Sequence, residues 1–138
     1  MPGTPTLNVD LTGLPITSFS YTTVNGPGRL VNVSSMRFNS GCTVNVPFIN
    51  NGYAWGAGGS SSFNGAFTSG SGSTLRLAGV GNASNYITVA SGITNNGLIE
   101  LSTDSTPYGS TAQLSVTSGT LVNAPGSRIE SLAGTGGA

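Results

Sequence analysis

A turn-strand phrase recurs along this chain and limits the folds that it can adopt. The stretch ITVASGITNNGLIEL, which begins at Ile87, aligns with LSVTSGTLVNAPGSRIESL, which begins at Leu114. The offset between the two copies is slightly larger at their ends, where Ile99 matches Ile129, so the second copy has the longer turn. Length variation confined to turns is typical of stacked coils of about 20 to 45 residues each.

Short strands are predicted between the turns. Apolar and polar residues alternate over a few positions in TLNVDL, TVNVPFI, TLRLAGV, YITV and QLSV, which gives each strand one inward face. The sequence shows no helical period. Gly or Pro also interrupts almost every stretch of ten residues, which disfavours helices. The side chains predicted to fill the core are Val89, Ile99, Leu101, Leu114, Val116 and Ile129.

These patterns predict an all-β fold, a parallel β-solenoid (β-helix). The alternative is a β-sandwich or jelly roll, because Asn-Gly also favours the turns of antiparallel hairpins. In either fold, the Asn-Asn-Gly turn is expected to use left-handed backbone conformations. Residues 36–138 are predicted to form the solenoid coils, and residues 1–35, which are rich in proline and lack the repeat, an irregular N-terminal cap. The ending SLAGTGGA indicates a fragment of a longer chain.

Composition excludes several classes of function. Charged residues make up 6% of the chain and the net charge is zero, so no basic surface is expected to bind nucleic acid. The sequence contains no apolar run long enough for membrane insertion. Because the chain has no histidine and no nucleotide-binding motif, we expect no catalytic residues, no metal site and no cofactor.

The few acidic residues of the chain are candidates for ion pairing, metal binding or catalysis. Glu100 and Glu130 occupy equivalent positions of the repeat, so in a solenoid they stack about 4.8 Å apart. Like charges at that distance repel, and we expect them to turn to solvent or to engage Arg76, Arg128 or a cation. Outward polar residues between inward aliphatic ones are the favoured interpretation; a calcium site with Asp104 and a catalytic carboxylate pair are the alternatives.

Two aromatic residues are the candidate ligand-binding residues. Tyr53 and Trp55 precede the run GAGGSSS, and exposed aromatic rings beside a flexible Gly-Ser loop can stack on sugars. The sequence therefore also supports a carbohydrate-binding module. The single cysteine, Cys42, is predicted to be a small buried apolar residue, with an intermolecular disulfide as the alternative.

The phrases SGITNNGLIELS, STLRLAG and SGTLVNAPGSRIES resemble the β-strand repeats of large bacterial surface and secreted proteins. These include the passenger regions of autotransporters and filamentous-haemagglutinin-like adhesins. The resemblance covers residues 36–138 and transfers no functional residue. It implies a right-handed β-helix with a structural or adhesive role outside the bacterial cell, where glycans or host surfaces are partners. Because a solenoid leaves its terminal strands unpaired, we also expect end-to-end self-association into filaments.

Overall fold

The computed structural model describes residues 3–15, 18–104 and 109–135, which form short strands and no helix that could span a membrane. The strands, in chain order, are β1 (Leu11–Thr12), β2 (Ser18–Phe19), β3 (Thr23–Val24), β4 (Leu30–Asn32), β5 (Ser35–Phe38), β6 (Cys42–Val44), β7 (Phe48–Asn50), β8 (Tyr53–Ala57), β9 (Gly59–Phe63), β10 (Phe67–Ser69), β11 (Thr74–Gly79), β12 (Asn85–Val89), β13 (Ile93–Asn95), β14 (Leu98–Thr103), β15 (Ala112–Val116), β16 (Leu121–Asn123) and β17 (Arg128–Ser131).

Strands that are three apart in chain order pair with each other in parallel sheets. Sheet A contains β1, β4, β7, β10, β13 and β16; sheet B contains β2, β5, β8, β11, β14 and β17; sheet C contains β3, β6, β9, β12 and β15. Three consecutive strands therefore make one coil, with one strand in each sheet. The predicted parallel β-solenoid is confirmed, and the alternative sandwich or jelly roll is wrong, because all pairings between named strands are parallel.

The predicted repeat is confirmed at the level of single residues. In sheet C, Ile87 pairs with Leu114, and in sheet B, Ile99 pairs with Ile129. Coil length nevertheless varies along the chain. In sheet A, Phe67 pairs with Phe48 on one side and with Ile93 on the other, so the coil that begins at Phe67 is longer than the coil that begins at Phe48.

The longer coils carry insertions between sheets B and C. In the third coil, which has no insertion, β8 ends at Ala57 and β9 begins at Gly59. In the fourth coil, residues 80–84 separate β11 from β12, and the fifth coil has a still longer connection after Thr103. The first of these insertions folds into a tight turn with an antiparallel bridge between Val80 and Ala83. Because these connections fall between a strand of sheet B and a strand of sheet C, the three sheets continue without interruption.

Inward side chains from the three sheets fill one continuous core. An aromatic stack runs through the first four coils, with ring centroids 5.0 Å apart for Phe38–Phe63 and Phe48–Phe67. Aliphatic side chains continue the core through the remaining coils, as the repeat predicts. Val89 and Ile99 are fully buried, and Leu101, Leu114 and Val116 pack partly buried against them.

Of two residues that the sequence predicts to be buried, Ile129 is exposed and Cys42 is buried. Ile129 has the inward register of Ile99, but its side chain is 44% exposed because no further coil of the described chain covers it. The prediction that Ile129 fills the core is therefore wrong. Cys42 is buried, as predicted, and burial raises the pKa of its thiol despite hydrogen bonds that act in the opposite direction.

The recurring asparagines form hydrogen-bonded ladders at the corner between sheets A and B, buried at Asn32, Asn50 and Asn95 and exposed at Asn123 of the last coil. Asn50 Oδ1 accepts a hydrogen bond of 2.8 Å from Asn32 Nδ2, one coil away. Two coils further along, Asn95 Nδ2 donates to Asn123 Oδ1 at 2.8 Å, and Ser69 donates to Asn95 Oδ1 at 2.9 Å. Each side chain thus satisfies polar groups of the neighbouring coil, which is what buried amides require.

The glycine of the Asn-Asn-Gly turn has a different role from the one predicted. Neither Gly52 nor Gly97 has a positive φ, so the expected left-handed conformation is wrong for both turns. Instead, a Cβ atom at Gly52 would lie 2.3 Å from the Ser34 carbonyl oxygen, and a Cβ at Gly97 would lie 2.3 Å from the Ser73 carbonyl oxygen. Glycine is required because adjacent coils approach too closely for any side chain.

The first 35 residues contain more regular structure than the term irregular cap implies. Strands β1 to β4 lie before residue 36, and Leu11 pairs with Leu30 in the register of sheet A. Isolated bridges at Gly3 and Thr6 add a further parallel segment beside β3. These elements escape sequence analysis because β1, β2 and β3 have only two residues each, too few for an alternating pattern. Their capping role and the handedness of the coil stay predictions.

Candidate functional site

The outer face of sheet B carries most of the chemically distinctive side chains of the chain. Strand register places one outward side chain from each coil in a single row, called here the central column: Ser18, Arg37, Trp55, Arg76, Glu100 and Glu130. All of them are half-buried. They point outward because strand side chains alternate, and the residues beside them, such as Met36, Ala54 and Leu75, point into the core.

Trp55 lies between two arginines of the central column. The guanidinium carbon of Arg37 lies 4.4 Å from the centre of the indole ring, which is a cation–π contact. Arg76 is the register neighbour of Trp55 on the opposite side. One ring face is therefore covered by Arg37, so a sugar can stack on that face only if Arg37 moves.

The structure places Tyr53 and Trp55 together, two residues apart on β8 and on the same outer face. Both are half-buried rather than exposed. The neighbouring Gly-Ser run is also no flexible loop, because it belongs to strands β8 and β9, which meet at Gly58 and Gly59 with φ of 66° and 73°. The predicted flexible loop is therefore wrong; the carbohydrate-binding role of the two aromatic residues stays a prediction.

Arg76 is the centre of an ion-pair cluster. Its Nε lies 2.8 Å from Glu100 Oε1, and its terminal nitrogen donates to Asp104 Oδ1 at 2.7 Å. Burial lowers the pKa of Arg76, but Tyr53 and the two carboxylates outweigh burial and raise the pKa overall. The side chains of Arg76 and Glu100 are 23% and 18% exposed, so this cluster is screened less than a surface pair.

The stacked glutamates behave as the repeat predicts. Glu100 and Glu130 are direct register neighbours, and each engages an arginine. Glu130 Oε1 lies 3.1 Å from Arg128, a pair whose arginine is 67% exposed. Within the described residues, no group of three His, Cys, Asp or Glu side chains is arranged to hold a metal ion. The carboxylates are thus committed to arginines of the same face.

Arg37 is the functional candidate that sequence reasoning did not identify. A signal was present in the triplets Met-Arg-Phe, Ala-Trp-Gly and Leu-Arg-Leu, each of which has an outward residue between two inward ones. Alignment of these triplets would have placed Arg37, Trp55 and Arg76 in one row. The third coil obscures the pattern, because Gly56 occupies the inward position that Phe38 and Leu77 fill in neighbouring coils.

Comparison with known proteins gives no family assignment: no family model, curated protein or solved structure matches the chain. The parallel β-solenoid is shown by the strand pairing alone.

Proposed function

We propose that this chain is a structural, self-assembling β-solenoid module of an extracellular or cell-surface bacterial protein. The observation that carries the proposal is the apolar surface at the last described coil. Ile129 and Leu132 are each 44% exposed there, and Val122 is 47% exposed. Strands β15, β16 and β17 each have a free edge beside these side chains in the described structure. Unpaired edges next to uncovered apolar side chains favour pairing with another chain.

The other end of the solenoid has complementary character. Within the first coil lies an apolar hollow of about 140 Å³, lined by the largely buried side chains of Pro5, Leu7, Leu11, Leu14, Phe19, Val24 and Leu30. Val9, nearby in sequence, is 73% exposed. The N-terminal end therefore also has an exposed apolar side chain, which supports end-to-end association of copies. The resemblance to autotransporter passengers and filamentous-haemagglutinin-like adhesins supports the same structural or adhesive role.

A catalytic role is not part of the proposal. The four acidic residues of the chain are all engaged by arginines, namely Asp10 by Arg29, Glu100 and Asp104 by Arg76, and Glu130 by Arg128. This arrangement supports a mechanical function.

The proposal is tested by sedimentation velocity over a wide range of protein concentrations. We expect the wild type to form larger species as concentration rises. Ile129→Lys should abolish them, because a charge on an open edge blocks strand addition. Val33→Lys is the matched control, since Val33 is 49% exposed but lies in the second coil, away from the last one. A wild type that stays monomeric throughout, or equal effects of the two variants, would contradict the proposal.

A carbohydrate-binding module is the second candidate function. The observation that favours it is the shared outer position of Tyr53 and Trp55 on β8. Trp55→Ala should weaken binding to a glycan that the wild type retains on a glycan array. If no glycan is retained by the wild type, or the substitution changes none of the signals, this function is excluded.

A further inference from the structure

Arg37 differs from the other arginines in having no carboxylate partner within the described chain. The chain contains four acidic residues, and all of them pair with Arg29, Arg76 or Arg128. The guanidinium of Arg37 therefore contributes an uncompensated positive charge to the central column of sheet B. By contrast, Arg76 is surrounded by the two carboxylates of Glu100 and Asp104, so this cluster carries a net negative charge.

The charge of Arg37 is also held in a partly desolvated position. Its guanidinium lies over the indole ring of Trp55 at 4.4 Å, and its Nε is buried without a hydrogen-bond partner. The indole Nε1 of Trp55 is likewise buried and unpartnered. Removing polar groups from water without a partner costs free energy, and the attraction of a charge for an anion grows as solvent is excluded. An external anion at the accessible terminal nitrogens would offset the desolvation of the Arg37 charge.

The remaining nitrogens of Arg37 are suited to such an anion. Only Nε of this side chain is both buried and unpartnered, so the terminal nitrogens reach the surface. A guanidinium edge matches the two oxygens of a carboxylate or sulfate group, and stacking on an aromatic ring preorganises it for that contact.

The surroundings favour a polysaccharide over a peptide or a nucleic acid. Strand β5 is paired on both sides, by β2 and β8, so the strand that carries Arg37 has no free edge to accept a peptide strand. Beside the central column, the hydroxyl-bearing residues Ser35, Tyr53 and Thr74 are in register on three neighbouring strands, called here the hydroxyl row. Hydroxyl groups can both donate to and accept from sugar hydroxyls. One unpaired guanidinium among the described residues, in a chain of zero net charge, is too little for nucleic acid.

We propose that Arg37 and Trp55, with the hydroxyl row of Ser35, Tyr53 and Thr74, bind an acidic polysaccharide. Arg37 takes the carboxylate or sulfate group through its guanidinium edge, while the hydroxyl row binds the sugar hydroxyls. The acidic group of the ligand lies over β5 and β8, because the negative charge around Arg76 repels an anion further along the column. This inference refines the second candidate function by naming its ligand class, and it is independent of self-assembly.

The fluorescence of Trp55 reports on binding at this site, because Trp55 is the only tryptophan of the chain. Its fluorescence is titrated at low salt with polygalacturonate as the carboxylate probe, dextran sulfate as the sulfate probe and dextran as the neutral probe. We expect a saturable change with at least one acidic probe and none with dextran. Saturation by polygalacturonate alone identifies a carboxylate ligand, and saturation by dextran sulfate alone identifies a sulfate ligand.

Two variants and one matched control separate the site from general charge effects. Arg37→Gln should weaken binding by about tenfold or more. Arg37→Lys keeps the charge but loses the paired N–H donors of the guanidinium, so it should weaken binding by a smaller factor. Arg29→Gln, at an arginine already paired with Asp10, should bind within about twofold of the wild type.

Some results would overturn the inference. Equal binding by the wild type and Arg37→Gln would do so, as would the absence of a response to both acidic probes. A response to dextran as strong as that to the acidic probes would exclude the acidic ligand but leave the neutral carbohydrate-binding function standing. Failure of the acidic site is thus distinguishable from failure of the second candidate function.

Discussion

Asn50→Ala should destabilise the fold far more than its size suggests. Asn50 is fully buried and accepts hydrogen bonds from Asn32 Nδ2 at 2.8 Å and from the Gly52 amide at 3.3 Å. It also donates to the Thr74 carbonyl at 2.9 Å, so it joins three successive coils. Each such bond contributes about 1 kcal/mol net, which gives an expected loss of about 3 kcal/mol in the free energy of unfolding. That is a large part of the stability of an ordinary domain.

The adjacent residue is the natural control. Asn51 follows Asn50 in the same turn but is exposed, and in the described structure its side chain makes no hydrogen bond. Asn51→Ala should therefore change stability by less than about 0.5 kcal/mol. Urea unfolding followed by circular dichroism compares the two variants, and an unchanged dependence on urea concentration shows that the midpoints reflect stability. Equal losses for Asn50→Ala and Asn51→Ala would refute the role assigned to the buried ladder.

Three further predictions concern a glycine, a carboxylate and a thiol. Gly97→Ala should cost about 2 kcal/mol in urea unfolding, because its Cβ would meet a carbonyl oxygen at 2.3 Å, whereas Gly109→Ala, in open space, should be neutral. A side-chain hydrogen bond from Arg29 lowers the pKa of Asp10, so its stabilising contribution is present above about pH 4 and is lost as pH falls through the lowered pKa. Unfolding of Asp10→Asn at several pH values checks this: a stability difference from the wild type that persists at the lowest pH contradicts it. Cys42 should react with iodoacetamide at least about tenfold faster in urea than in the native state, because burial raises its thiol pKa; equal rates would show that the thiol is accessible.

The sequence was sufficient for the fold and for the register of the last coils. Alternation and the offset repeat predict that Ile87 lies beside Leu114 and Glu100 beside Glu130, and both pairs are present. In these coils the strands β12, β14 and β15 are five or six residues long, which makes the period visible. The first coils have strands of two residues, so their place in the same sheets leaves no pattern to detect.

The chemistry of the outer face was harder to predict than the fold. Tyr53 and Trp55 were identified from residue type, but the contact between Trp55 and Arg37 depends on residues of two different coils becoming neighbours. Their distance in sequence follows from the length of one coil, and that length changes between the first and last coils. The requirement for Gly52 was also hidden, because it arises from a carbonyl group of the preceding coil and not from the local backbone.

The stacked, parallel arrangement of coils is tested most directly by nuclear Overhauser effects between backbone protons of β14 and β17. The structure predicts contacts that join Ile99 to Ile129 and Glu100 to Glu130 in parallel register. Short contacts between facing α-protons, which are typical of antiparallel strands, should be absent between β13 and β14. Strong α-proton contacts between those consecutive strands, without contacts from β14 to β17, would show a hairpin fold and contradict the solenoid.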